Sequence, residues 1–135
     1  MVGLLDQADR AVAAVVTPVI TQEGLSREGW RILLLLSRGG GRSMGEVAEH
    51  AAIPNPTATR MVDRLVSQEL AFRRTDSQDR RRVLVHLAPR GREVVEQVSA
   101  QLELKINTAF GQFTGCGAEL RALLTQLATV ASAPE

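Results

Sequence analysis

The sequence predicts a mainly α-helical fold of the α+β class, in which a short two-stranded β-hairpin follows four helices and precedes two more. Apolar residues recur at steps of three and four over most of the 135-residue chain, which is the helical period. Apolar and polar residues alternate over residues 82–87, which is typical of a strand. Aromatic residues amount to 3% and Tyr is absent, which disfavours a β-sandwich or barrel.

The first two helices are predicted before a run of glycines. An apolar stripe over residues 4–20 indicates the first helix, and Pro18 and residues 21–24 are expected to end it. Ser26 is a suitable N-cap for the second helix, which carries Trp30 and several leucines. Three successive glycines at 39–41 then break the chain.

Two shorter helices follow the glycines. Ser43 and Glu46 have the spacing of a capping box, in which each side chain accepts from the other residue's backbone amide. Asn55 is a good N-cap for the next helix, and Pro56 suits the first helical position because its missing N–H needs no partner there. This fourth helix is expected to run from about Pro56 to Ser67.

The period changes to alternation after the fourth helix. Phe72 begins a short strand, residues 75–80 form a polar turn, and residues 82–87 form the second strand of a hairpin. Pro89 opens a long fifth helix, and a last helix carries the apolar residues of 120–130. Two short helices across a turn, followed by a two-stranded wing, form a winged helix-turn-helix.

The net charge of +1 conceals a strong asymmetry along the chain. The segment from Arg38 to Arg92 contains 11 Arg and 6 acidic residues, a net charge of +5. The remainder contains 5 basic and 9 acidic residues, a net charge of −4. A basic centre between acidic flanks indicates a nucleic-acid module whose flanks serve another purpose.

The fourth helix has the side chains of a DNA-reading element. Its outer side carries Thr57, Arg60, Asp63, Arg64 and Ser67, and its other side is apolar. Because the N-terminal end of such a helix enters the major groove, Asn55, Thr57 and Arg60 are the candidates for base contacts. Thr59 lies at the border and is a candidate for a phosphate contact. The alternative is a solvated amphipathic helix, which Asp63 favours because phosphate repels its carboxylate.

The hairpin concentrates arginines. Arg73, Arg74, Arg80, Arg81 and Arg82 fall within ten residues, around Asp76 and Asp79. Guanidinium groups at a hairpin tip are suited to a phosphate or a minor groove. One explanation of the two carboxylates is that each pairs with an Arg and fixes the shape of the loop. The alternative is a solvated turn.

Four stretches of the sequence resemble the MarR family of bacterial winged-helix transcriptional regulators: Leu25–Trp30, Ser43–Ala48, Asn55–Leu70 and Asp76–Arg81. The resemblance implies a homodimer with an N-terminal dimerisation helix in residues 1–25, a DNA-binding lobe in 26–88 and dimerisation helices in 89–135. It places Thr57, Thr59, Arg60 and Arg64 on the recognition helix. It also implies that Asp79 orients Arg81.

Three positions depart from the family's pattern. Glu69 stands where Gly is usual, which removes an easy left-handed helix cap. Ala88 stands where Thr is usual, so a capping hydroxyl is lost, in part compensated by Pro89. Arg82 adds a charge to the wing where a small residue is common.

The expected function is that of a homodimeric, sequence-specific regulator, a repressor of an inverted-repeat operator on double-stranded DNA. Broad apolar stripes on the flanking helices favour the homodimer. The resemblance implies release by a small, often aromatic or phenolic anion bound in a cleft. The candidates for that cleft are Arg10, Trp30, Arg31 and His86, with a plain core role as the alternative for Trp30.

Other functions receive less support from the sequence. No catalytic motif, cofactor site or metal-ligand cluster is recognised, and the only histidines are His50 and His86. The single cysteine, Cys116, excludes an internal disulfide and leaves a redox-responsive regulator as an alternative. A helical protein-interaction module is a further alternative. No apolar run is long enough to span a membrane, and an acidic N-terminus disfavours a signal peptide, so a cytoplasmic location is expected.

Overall fold

A computed structural model of the chain describes residues 1–111 and 117–131. The helices are α1 (Val2–Gln22), α2 (Arg27–Ser37), α3 (Met44–Ala51), α4 (Asn55–Ser67), α5 (Pro89–Phe110) and α6 (Gly117–Ala131), and the strands are β1 (Ala71–Thr75) and β2 (Val83–Leu87). This order confirms the predicted fold class. The chain divides into two compact units, residues 1–102 and residues 103–135.

The core of the first unit is aliphatic and draws on each of its elements. Among its fully buried side chains are Ile20 of α1, Ile32 of α2, Val62 of α4, Val85 of β2 and Val98 of α5. Burying an aliphatic side chain of this size contributes about 1.5–3 kcal/mol, so these side chains dominate the stability of the unit.

Two predicted helix caps are confirmed. The Ser26 hydroxyl accepts from the Gly29 amide at 3.0 Å and begins α2. The Ser43 hydroxyl accepts from the Glu46 amide at 3.2 Å, and the Glu46 carboxylate accepts from the Ser43 amide at 3.1 Å. This reciprocal pair satisfies two amides that the first turn of α3 leaves without helical partners.

The predicted end of α1 is confirmed within residues 21–24, because the helix ends at Gln22, but Pro18 lies inside the helix and does not end it. Proline removes one helical hydrogen bond, but the buried side chains of Val19 and Ile20 hold the last turn against the core. Helix α4 begins one residue earlier than expected, so that Pro54 occupies the N-cap position and the Asn55 side chain makes no capping hydrogen bond.

The wing is an antiparallel pair that runs from Ala71 opposite Leu87 to Thr75 opposite Val83. A third segment, which the sequence did not reveal, joins it through Arg42. The Arg42 amide donates to the Val85 carbonyl at 2.9 Å, and the Val85 amide donates to the Arg42 carbonyl at 2.7 Å. The short segment before α3 is thereby tied to the wing.

The chain turns from α4 into β1 through a residue in the left-handed conformation. Glu69 has a φ of 61°, and the Leu70 amide donates to the Leu65 carbonyl at 2.9 Å. The turn therefore forms without the usual glycine, at the steric cost that a Cβ meets in this region. The Glu69 carboxylate lies 3.5 Å from Arg90, but both side chains are largely exposed, so the pair contributes little.

Replacing Glu69 with Gly is expected to stabilise the chain by about 0.5–1 kcal/mol, because glycine adopts this φ without strain. Urea denaturation followed by circular dichroism measures the change as a higher midpoint at constant slope. Glu96→Gly is the matched control, since Glu96 is an exposed residue inside α5 and its replacement should destabilise by about 1 kcal/mol. A loss of stability in Glu69→Gly equal to that of the control would contradict the strain argument.

Candidate nucleic-acid interface

One side of helix α4 packs against the core, and the opposite side is exposed. Ala58, Val62 and Leu65 are 0%, 0% and 2% exposed, respectively, which fixes the rotation of the helix on the core. The opposite side presents the predicted DNA-contacting residues. Asn55, Thr59, Arg60 and Arg64 are exposed and Thr57 is half-buried.

The side chains at the N-terminal end of this surface are short and polar. Thr59 donates its hydroxyl to the Asn55 carbonyl at 3.1 Å. This leaves the lone pairs of the hydroxyl but not its proton for a ligand, so Thr59 is suited to accept a hydrogen bond and not to donate one to a phosphate. Asn55 is the first residue of α4, and its side chain makes no capping hydrogen bond.

The carboxylate of Asp63 is neutralised by a wing residue. Its Oδ1 lies 2.6 Å from a terminal nitrogen of Arg73, which donates a hydrogen bond to it. Asp63 therefore does not place an unpaired negative charge on the outer face of α4, which was the objection raised by the sequence. The pair also links α4 to β1.

The remaining arginines of the predicted surface have a different environment. Within the described part of the chain, the salt bridges engage Arg10, Arg27, Arg73, Arg82 and Arg90. Arg60 and Arg64 on α4, and Arg80 and Arg81 on the wing, are exposed and are not among them. These four side chains can pair with an external anion without first breaking an ion pair.

The two wing aspartates act on the main chain. Asp76 accepts from the Gln78 amide at 3.0 Å, and Asp79 accepts from the Arg81 amide at 3.0 Å. The side-chain pairing with arginine suggested by the sequence is therefore replaced by two Asx turns, which shape the loop locally. The loop is closed by hydrogen bonds between the Asp76 amide and the Arg82 carbonyl at 2.8 Å and between the Arg82 amide and the Asp79 carbonyl at 2.9 Å.

Arg82 differs from its neighbours because its guanidinium is held by α3. A terminal nitrogen lies 3.5 Å from Oε1 of Glu46, whose Oε2 accepts from the Ser43 amide. One carboxylate thus caps α3 and pairs with the wing, and because both partners are about half exposed the pair itself contributes little stability. The capping box allowed Glu46 to be identified from the sequence, but no local pattern indicated that Arg82, 36 residues later, would pair with it.

The four candidates for a ligand cleft occupy different environments. Arg10 lies 2.6 Å from Asp6 and lines a shallow groove on α1 that none of the other three candidates lines. Trp30 is 7% exposed and belongs to the core, whereas Arg31 is exposed. The His86 ring stacks on Phe72 with centroids 5.3 Å apart, and a Cβ at Gly41 would lie 2.6 Å from the His86 ring. Of the four, Arg10 lines the groove on α1, whereas Trp30 is enclosed in the core.

Other predicted chemistry can be placed only in part. Cys116 lies outside the described residues. Over residues 1–111 and 117–131, no group of three or more His, Cys, Asp or Glu side chains could hold a metal ion. None of the helices in those ranges is long and apolar enough to cross a membrane.

Helices α3 and α4, seated on an aliphatic core and followed by an arginine-bearing hairpin, define a winged helix-turn-helix DNA-binding protein. The model of the MarR family matches residues 23–82, which include α2, α3, α4, β1 and the loop of the wing and end just before β2. The regulator FarR of Neisseria gonorrhoeae is 29% identical over 102 residues, which are 76% of this chain and 69% of that protein.

Two solved structures match nearly the whole chain. RV1404 from Mycobacterium tuberculosis superimposes with a TM-score of 0.83 at 30% identity, covering 99% of this chain and 93% of that one. NadR in complex with 4-hydroxyphenylacetate has a TM-score of 0.83 at 27% identity, covering 99% and 92%. The chain belongs to the MarR family and is a DNA-binding transcriptional regulator.

Proposed function

We propose that the protein is a homodimeric repressor that binds an inverted-repeat operator and is released from it by a small aromatic anion. The observation that carries the proposal is the exposed, unpaired set of arginines shared by α4 and the wing. Arg60, Arg64, Arg80 and Arg81 form no salt bridge with a described residue, and the neighbouring carboxylate of Asp63 is neutralised by Arg73. Such a surface favours a polyanion.

The proposed DNA contacts differ in kind with the position of each residue on this surface. Asn55, Thr57 and Arg60 lie at the beginning of α4 and are proposed to read base edges in the major groove. Thr59 and Arg64 are proposed to contact the backbone, with Thr59 as an acceptor from an ordered water. Arg80 and Arg81 are proposed to contact phosphates or the minor groove, on a loop shaped by Asp76 and Asp79. Arg82, held by Glu46, is proposed to position this loop.

The homodimer is supported by apolar surface on the flanking helices. In α6, Leu120, Leu123, Leu124 and Leu127 are 52–57% exposed, and in α1, Leu4 and Leu5 are 65% and 55% exposed. Side chains of this kind are normally covered, and a second copy of the chain would cover them symmetrically. We therefore assign residues 1–25 and 89–135 to dimerisation and residues 26–88 to DNA binding.

Effector release is supported by similarity. The NadR structure contains 4-hydroxyphenylacetate, an aromatic carboxylate, and its fold matches over nearly the whole chain. We propose an effector of the same chemical class for this protein. Arg10, Trp30, Arg31 and His86 are proposed as candidates for its binding cleft on their residue types.

The dimer is tested by placing charges on the apolar side of α6. Leu123→Glu with Leu127→Glu is expected to convert a dimer to a monomer in sedimentation equilibrium. It should also weaken binding to an inverted-repeat duplex by about a hundredfold or more, because the two lobes no longer bind as one unit. Ala122→Glu is the matched control, because helical periodicity places Ala122 on the other side of α6. The dimer would be refuted if the wild type were a monomer in sedimentation equilibrium and bound the duplex with the same affinity as the double variant.

A further inference from the structure

Three residues form a row across the wing and the segment that leads into α3. Phe72 of β1 lies directly opposite His86 of β2. On the other edge of β2, Arg42 lies opposite Val85. The antiparallel register therefore places Gly41 opposite His86. Because directly opposed residues share one face of a sheet, the His86 side chain lies between the positions of Phe72 and Gly41.

The His86 ring contacts both of its neighbours in this row. It stacks on the Phe72 ring, with centroids 5.3 Å apart and an angle of 13° between the two planes. On its other side it lies against Gly41, where a Cβ would be 2.6 Å from Cε1, 2.8 Å from Nε2 and 3.2 Å from Nδ1 of the ring. Non-bonded carbon atoms pack at about 3.5–4.0 Å, so the ring occupies space that only a glycine leaves open.

The contact with the ring distinguishes Gly41 from the two glycines before it. Gly39, Gly40 and Gly41 all have left-handed backbones, with φ values of 80°, 87° and 67°. A side chain at any of the three would be strained. A Cβ at Gly39 or Gly40, however, would have nothing within 4 Å. Glycine is therefore needed at position 41 for space as well as for conformation.

The row connects the start of α3 with the whole hairpin. The segment that contains Gly41 leads directly into α3, and the paired hydrogen bonds between Arg42 and Val85 hold it to β2 at 2.9 and 2.7 Å. The two strands pair without interruption from the base of the wing to its loop. A shift of the His86 ring would therefore move the hairpin beside α3 and carry its loop with it.

We propose that His86 is a positioning residue for DNA binding. Its ring, packed between Phe72 and Gly41, sets the angle of the wing against α3. That angle places Arg80 and Arg81 beside the DNA backbone, and the His86 ring itself contacts no nucleotide. This role goes beyond the effector cleft, for which His86 is a candidate on its residue type, and it rests on the proposed contacts of the two wing arginines with DNA.

The contact is tested without DNA by amide hydrogen exchange in the full chain, measured relative to the core amides of α2. The reporter is the Val85 amide, which donates to the Arg42 carbonyl. Gly41→Ala is expected to accelerate its exchange about tenfold, because the ring must move and the bridge beside it opens more often. Gly40→Ala is the matched control, since it adds the same backbone strain where a Cβ meets no neighbour.

Removing the ring provides a second test of the same contact. His86→Thr deletes the ring but keeps a residue that favours strands. In a His86→Thr background, Gly41→Ala is expected to have no greater effect than Gly40→Ala, because the added methyl group no longer meets the ring. Equal exchange of the Val85 amide in Gly41→Ala and Gly40→Ala, with the ring present, would overturn the proposal.

A further arm tests the consequence for DNA by fluorescence anisotropy with an inverted-repeat duplex. His86→Thr is expected to weaken binding about tenfold and to lower the salt slope by about 1, as Arg81→Ala does, whereas a loss of stability alone would leave the slope unchanged. In an Arg81→Ala background, the effect of His86→Thr is expected to vanish, because the contact that it positions is already absent.

The two arms separate failure of this proposal from failure of the proposed function. An affinity and salt slope unchanged in His86→Thr, while Arg81→Ala lowers both, would overturn the positioning role and leave the wing contact intact. A salt slope unchanged in Arg81→Ala itself would contradict the proposed contact of the wing with DNA. The exchange of the Val85 amide reports the contact between the ring and Gly41 in either case.

Discussion

Gly91→Ala is expected to destabilise the protein by about 3 kcal/mol, because the added methyl group has no space. A Cβ at Gly91 would overlap the carbonyl oxygen of Leu70 and lie 2.8 Å from Cδ1 of Leu87. The Leu70 carbonyl is already fixed, since it accepts from the Ala88 amide at 3.0 Å. The first turn of α5 would have to move away from the base of the wing, and that hydrogen bond would be lost or lengthened.

Urea denaturation followed by circular dichroism measures this loss as a lower midpoint. Gly45→Ala is the matched control, because Gly45 also lies in the first turn of a helix and a Cβ there would meet the Ser43 hydroxyl at 3.9 Å, an ordinary van der Waals contact. It is expected to stabilise by about 0.5 kcal/mol, since alanine has the higher helix propensity. Equal effects of the two substitutions would show that Leu70 and Gly91 are not in close contact.

Arg60→Ala is expected to lower the affinity for the specific duplex by about 10- to 100-fold while leaving non-specific binding nearly unchanged. A bidentate arginine contact to guanine supplies about 1–3 kcal/mol of discrimination, and its loss removes sequence information more than charge. Fluorescence anisotropy with the specific and a scrambled duplex measures both affinities at several salt concentrations.

Arg81→Ala is the contrasting variant in the same experiment. It is expected to weaken both duplexes and to lower the salt slope by about 1, because a phosphate contact releases a counterion whatever the sequence. Arg82→Gln is expected to weaken binding without changing the slope, since Glu46 already balances its charge. Arg121→Ala, an exposed arginine of α6, controls for net charge. Identical behaviour of Arg60→Ala and Arg121→Ala would remove Arg60 from the interface.

Local signals in the sequence were sufficient for most of the fold. The capping box of Ser43 and Glu46 depends on residues three apart, and the alternation over 82–87 depends on neighbours, so both could be recognised without a structure. Pro18 was misjudged because the buried residues that hold the end of α1 are anchored by distant parts of the chain. Propensity alone cannot weigh such packing.

The sequence predicted which residues form the surface of the candidate site but not which of their side chains form ion pairs. Arg73 neutralises Asp63 across the interval between α4 and β1, and Glu46 holds Arg82 across the interval between α3 and the wing. Both pairs depend on the antiparallel register of the wing and on its position beside the helices, which no local spacing encodes. The bridge of Arg42 to Val85 is of the same kind, because it joins residues 43 positions apart that no local pattern connects.

The central claim, that α4 and the wing of a dimer read duplex DNA, is tested most directly by selection from a random duplex library. The wild type is expected to enrich an inverted repeat whose half-site centres lie about one helical turn apart, roughly 10 base pairs. Arg60→Ala, selected in parallel, is expected to lose the base preference that this side chain reads. A wild-type protein that enriches no sequence at low salt, or enriches the same motif as Arg60→Ala, would contradict the account.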